Sequence, residues 1–131
     1  MKVHFTDIVP DPEGSNWVNL YAIANGGLYY IQAKVFTEGS EYGIYGGRVS
    51  MLWIEKHSIG NSGAGRCGRS ARDVLVADYD RGTWNRRPGT PAAKAVVESV
   101  VDLFDNHWEE TGLKPTKNGW IIEKHASKDE S

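Results

Sequence analysis

Residues 17–36 read Trp17-Val18-Asn19-Leu20-Tyr21-Ala22-Ile23-Ala24-Asn25-Gly26-Gly27-Leu28-Tyr29-Tyr30-Ile31-Gln32-Ala33-Lys34-Val35-Phe36. Two runs of aromatic and aliphatic residues, each suited to a pleated and half-buried surface, flank Asn25-Gly26-Gly27. Asn and Gly tolerate positive φ, so the short break reads as a hairpin turn between antiparallel strands. On the return strand Ile31, Ala33 and Val35 share one face, and Tyr30, Gln32 and Lys34 share the other. A strand pair of this kind needs further strands or a helix to cover it.

The rest of the chain supplies both. Upstream, Lys2 to Ile8 is a short strand stopped by Pro10-Asp11-Pro12-Glu13-Gly14. Downstream, Arg48 to Lys56 is a strand in which Val49, Met51 and Trp53 alternate with Ser50, Leu52 and Ile54; the Val49/Trp53 face is expected in the core beside Ile31 and Val35. Val74 to Tyr79 is another strand, and Asp80 to Gly89 reads as turn material. Thr90-Pro91 has the form of an N-cap followed by a first-turn proline. Ala93, Val96, Val97, Val100, Val101, Phe104 and Trp108 then form one helical stripe, ended by Gly112 and Pro115. Asn118-Gly119 is a turn, Trp120 to Lys124 a last strand. The expected fold is α+β: an antiparallel sheet of four to six strands with one long amphipathic helix on one face. The expected organisation is a single domain over 1–131, with sheet 1–89, helix 90–111 and C-terminal strand and tail 112–131.

At 131 residues with 40% hydrophobic and 24% charged content, the chain has the composition of a globular domain. A single cysteine excludes an internal disulfide and suits a reducing compartment. No apolar run approaches the roughly 20 residues of a membrane span, and the first residues lack an apolar signal core. The expected location is the cytoplasm of a bacterial host, away from membranes. The net charge of −2 argues against a general nucleic-acid binder. Charge is nonetheless uneven: residues 57–90 carry six Arg against three Asp, and residues 91–131 carry five Lys against eight acids.

Between the third and fourth strands of this reading lies Glu38-Gly39-Ser40-Glu41-Tyr42-Gly43-Ile44-Tyr45-Gly46-Gly47-Arg48. As a turn, it is a corner shaped by Ser40, Gly43 and Gly47 and held by ion pairs among Glu41, Arg48, Asp80 and Arg81. As a site, the same corner presents Tyr42, Arg48, Arg81 and Trp84 to an anionic, aromatic ligand, because guanidinium forks and aromatic faces suit phosphates and bases. The stretch, taken with Tyr79-Asp80-Arg81-Gly82-Thr83-Trp84, resembles a family of small proteins of a domain of unknown function carried by bacteriophages and mobile elements. Its shared features match Lys34, Ser40 to Ile44, Gly46 to Arg48, Tyr79 to Gly82 and Trp84. Thr83 interrupts the expected Gly-Trp step, and the Gly/Arg-rich run at 60–72 stands as an insertion. The resemblance implies a setting and no chemistry.

Other candidates are weaker patterns. Arg66 and Arg69 in the 60–72 run offer a phosphate cradle without the Walker sequence. Cys67 between them lacks an orienting partner for nucleophilic work. Glu55/His57 and Glu123/His125 each sit two apart on a strand, a thin basis for a metal site, and Asp78/Asp80 form a carboxylate pair. The helix shows an acidic face, Glu98, Asp102 and Asp105, as a protein-contact surface. No cofactor, metal or catalytic set is expected. The leading expectation is a non-enzymatic accessory protein that binds and blocks a host protein, in the manner of a counter-defence inhibitor. A nucleotide-binding or sequestering protein is the first alternative and a metal-dependent or hydrolytic enzyme the last. A homodimer through an open sheet edge is also expected.

Overall fold

The structure is a computed structural model, described over residues 2–57 and 75–122. Arg66, Arg69 and Cys67 lie outside the described residues, as do Glu123 and His125.

The hairpin forms as its residues dictate. β2 (Trp17–Ala24) and β3 (Gly27–Val35) pair antiparallel with Ala24 opposite Gly27. The two connecting residues, Asn25 and Gly26, have φ of 50° and 78°. Positive φ at both central positions matches the right-handed twist of the strands, and Asn-Gly meets it at little steric cost. The other strands extend this pair in chain order. β1 (Val3–Pro10), β4 (Val49–His57), β5 (Leu75–Asp80) and β6 (Thr83–Arg86) complete a six-stranded meander, β1-β2-β3-β4-β5-β6. Every pairing is antiparallel.

One face of this sheet is covered by α1 (Pro91–Asn106). The Thr90 hydroxyl accepts from the Ala93 amide at 3.1 Å, and Pro91 occupies the first turn. Ala93, Val96, Val97, Val100, Val101 and Phe104 are buried, as the stripe requires. All but Ala93 share one core with Val18, Leu20, Ile31, Val35, Leu52 and Ile54 of the sheet.

Four details depart from the sequence reading. The helix stops at Asn106 rather than continuing to 111; a 3-10 turn over Trp108–Thr111 follows His107, whose φ and ψ are −134° and 24°. That break swings Trp108 toward Trp120, with ring centroids 6.0 Å apart. Residues 83–86, expected as turn, form β6, because Arg81-Gly82 already make the reversal with φ of 43° and 103°. Trp120 to Ile122 does not join the main sheet. It belongs to β8 (Gly119–Ile122), which pairs with β7 (Leu113–Thr116) in a separate ribbon. That ribbon drives the Trp120 indole into the core, where it donates to the Val35 carbonyl at 2.8 Å.

The fourth departure concerns β4. Lys34 faces Met51 while Val35 faces Val49, so Ser50 is an extra residue, a bulge. Beyond it the faces exchange: Leu52 and Ile54 are buried, and Met51 and Trp53 are not. Strict alternation from Val49 therefore assigns Trp53 to the wrong side. Trp53 stands on the face that α1 leaves uncovered, its indole donating to Glu55 at 2.7 Å.

Candidate functional site

The glycine-rich loop between β3 and β4 lies against α1. Ser40 starts it: its hydroxyl accepts from the Tyr42 amide and its carbonyl from the Gly43 amide. A single 3-10 turn over Ile44–Gly46 follows, with Tyr45 in the left-handed region at φ 57°. Ile44 is buried in the core. The loop closes on itself where the Ser40 amide donates to the Gly47 carbonyl at 3.1 Å. Gly43 passes so close to Gly47 that a Cβ would strike its carbonyl oxygen.

Three hydrogen bonds and one packing contact tie this loop to the fold. The Asp105 carboxylate of α1 accepts from the Arg48 amide at 2.9 Å. Gly47 packs on the same carboxylate, with no room for a Cβ. The Tyr45 hydroxyl donates to Glu98 at 2.6 Å, and this holds the Tyr45 phenol above its usual range, first through the hydrogen bond itself. The Tyr79 hydroxyl of β5 donates to the Tyr42 carbonyl at 2.9 Å. Two of the three helix acids read as a protein-contact face are thus engaged by the loop. Asp102 remains exposed beside Asn106 and His107. Of the ion pairs expected at the corner, Arg81–Asp80 forms at 2.9 Å. Among the described residues none joins Arg48 or Glu41 to an opposite charge.

Docking the loop on the helix creates a groove. Its lining is Tyr45 from the loop, Trp84 from β6, Arg87 and Pro88 from the segment before the helix, and Lys94, Val97 and Glu98 from α1. The volume is about 570 Å³, within the roughly 300–1,000 Å³ of small-molecule clefts. Trp84 is fixed edge-on to Tyr79, centroids 4.9 Å apart, and the Arg87 guanidinium lies 6.0 Å from its ring centre. A flat aromatic wall, an apolar floor of Val97 and Pro88, two cations and one already bonded carboxylate suit a planar ring that carries negative charge.

Of the residues named from sequence for a ligand, Trp84 lines the groove. Tyr42, Arg48 and Arg81 do not: Tyr42 and Arg81 are exposed at two different turns, and Arg48 is half-buried next to Asp105. Tyr45, Arg87 and Lys94 were missed. A signal existed for two of them, since Trp84-Asn85-Arg86-Arg87 sets an aromatic beside two guanidiniums and Tyr45 lies in the same loop as Tyr42. The Asp78/Asp80 pair sits on the opposite face of the sheet, across from Trp53 and Met51.

The fold and groove define a class: a small meander sheet under one helix, with a glycine-rich loop clamped to that helix. The chain belongs to the family described as a domain of unknown function, DUF7678, which matches residues 16–105. The match runs from the start of β2 to Asp105, so it contains the loop, the groove and the carboxylate that anchors them. No curated protein matches the chain, and no solved structure matches it.

Proposed function

We propose that this chain is a binding protein that captures a small anionic ligand with a planar ring, of the nucleotide class, in the groove between Tyr45, Trp84 and α1. The observation that carries this reading is the convergence of Trp84, Arg87 and Lys94 on one cleft of about 570 Å³. Base stacking on Trp84 and charge pairing with Arg87 and Lys94 account for both halves of such a ligand. The resemblance of the loop to proteins of phages and mobile elements supports an accessory setting inside a bacterial host, where binding alone withholds a nucleotide or blocks a host component.

A thermal-shift series with linear and cyclic nucleotides tests this. Ligand at about 100 times its dissociation constant adds about 2.7 kcal/mol of stability, a shift that melting reads easily. Arg87→Ala and Lys94→Ala, both on exposed side chains, are expected to remove the shift and leave the melting temperature of the free protein nearly unchanged. No shift with any nucleotide contradicts the reading.

A further inference from the structure

The face of the sheet turned away from α1 is lined in register by aromatics and carboxylates. Asp7 is opposite Tyr21, Tyr21 is opposite Tyr30, and Tyr30 is opposite Glu55. One row along, Trp53 is opposite Asp78. Each of Tyr21, Tyr30 and Trp53 therefore has a carboxylate as a direct cross-strand neighbour. The rings of Tyr21 and Tyr30 are 5.2 Å apart and form a shared platform. Val9, Trp17, Tyr21 and Ile23 stand on this same face, 37% to 47% exposed, where single-sided antiparallel sheets more often show polar side chains.

We propose that this helix-free face docks an arginine- or lysine-bearing segment of another protein, its cationic side chains lying over Tyr21, Tyr30 and Trp53 and reaching the carboxylates beside them. The pairing of ring and carboxylate is what selects the occupant. A ring face attracts a cation through its quadrupole, and an adjacent carboxylate supplies the acceptor for its N–H groups. Phosphates of a nucleic acid would meet Asp7 and Glu55 with like charge; Asp78 is balanced by Arg86, its neighbour on β6. A second copy of this chain brings the same carboxylates to the same face. The side chains of Val9, Trp17, Tyr21 and Ile23 also offer only on the order of 300 Å², against about 800 Å² per partner in a standard stable interface. That is small for a self-dimer and adequate for a short segment. The surface is separate from the groove, and neither reading depends on the other.

The test is calorimetric titration of the full chain with a short peptide alternating arginine and leucine, beside its glutamate counterpart. Saturable binding of the arginine peptide, weakened by salt and absent for the glutamate peptide, is expected. Tyr21→Ser and Asp7→Lys, both on solvent-facing side chains, should each weaken it about tenfold. Arg87→Ala, in the groove, should leave it unchanged. Melting curves of each variant establish that the fold is intact. The proposal is overturned by absence of heat up to ~1 mM peptide, or by equal affinity in all variants. Preferential binding of a saccharide or a single-stranded oligonucleotide overturns it as well. So does a concentration-dependent dimer that Tyr21→Ser abolishes.

Discussion

Removing the Asp105 carboxylate should release the glycine-rich loop, and the structure gives the size of the effect. In the native protein this side chain accepts from the Arg48 amide at 2.9 Å and sits directly against Gly47. A hydrogen bond to a charged acceptor contributes about 1.5–3 kcal/mol, so Asp105→Ala should cost about 2 kcal/mol. Gly47→Ala should cost a similar amount by another route. Its φ of −97° is open to any residue, so the cost is steric: the new Cβ displaces the carboxylate and breaks the same bond. The two changes therefore share one loss. The double variant should be about as stable as Asp105→Ala alone, a coupling of about 2 kcal/mol where independent sites would add. Urea denaturation followed by tryptophan fluorescence measures this, and each single variant should melt roughly 6–10 °C lower. Simple additivity in the double variant would refute the reasoning, because it would mean that Gly47 and Asp105 do not act on the same contact.

Other outcomes follow from the same contacts. Trp120→Ala removes the largest fully buried side chain and its bond to Val35; a loss of about 3–5 kcal/mol is expected by chemical denaturation. Thr90→Ala removes the cap of α1 and should cost about 1 kcal/mol, with Thr90→Ser restoring most of it. The Tyr45 phenol, raised by its bond to Glu98, favours the neutral form in the folded chain. Its contribution is fully present below the ordinary tyrosine value of 10.0 and is lost as pH rises through the higher folded value. Glu98→Gln should bring the Tyr45 titration, followed by its ring resonances at alkaline pH, back toward the ordinary range; an unchanged titration would discount the bond.

Local chemistry made the Asn25-Gly26 hairpin and the helix legible. Asn25-Gly26 carries its turn geometry in its own residue types, and the α1 stripe repeats long enough to name its buried face. The Arg81-Gly82 reversal read only as part of a longer turn over 80–89, because an arginine gives no signal for its φ of 43°. What the sequence hid was non-local. A bulge at Ser50 exchanges the faces of β4 without leaving any mark in the alternation, so Trp53 reads as core when it faces outward. β6 is four residues, mostly polar, and gains its strand form from pairing with β5. Trp120 reads as the start of a last strand and is instead the plug of the core, because β7 and β8 fold back across Ser15, whose carbonyl accepts from the Trp120 amide. The groove depends on the loop docking to the helix, and that contact spans 57 residues between Arg48 and Asp105. Tyr42 and Tyr45 are three positions apart, yet only Tyr45 reaches the groove, because its left-handed backbone turns it onto Glu98.

Nuclear magnetic resonance titration of the labelled protein with linear and cyclic nucleotides tests the binding groove most directly. The account predicts saturating shifts confined to the Trp84 indole and the amides of Tyr45, Arg87, Lys94 and Val97. In a variant carrying both Arg87→Ala and Lys94→Ala, those shifts should vanish. Shifts absent for every nucleotide at ~mM concentration, or undiminished in that variant, would contradict the claim that this groove takes an anionic planar ligand.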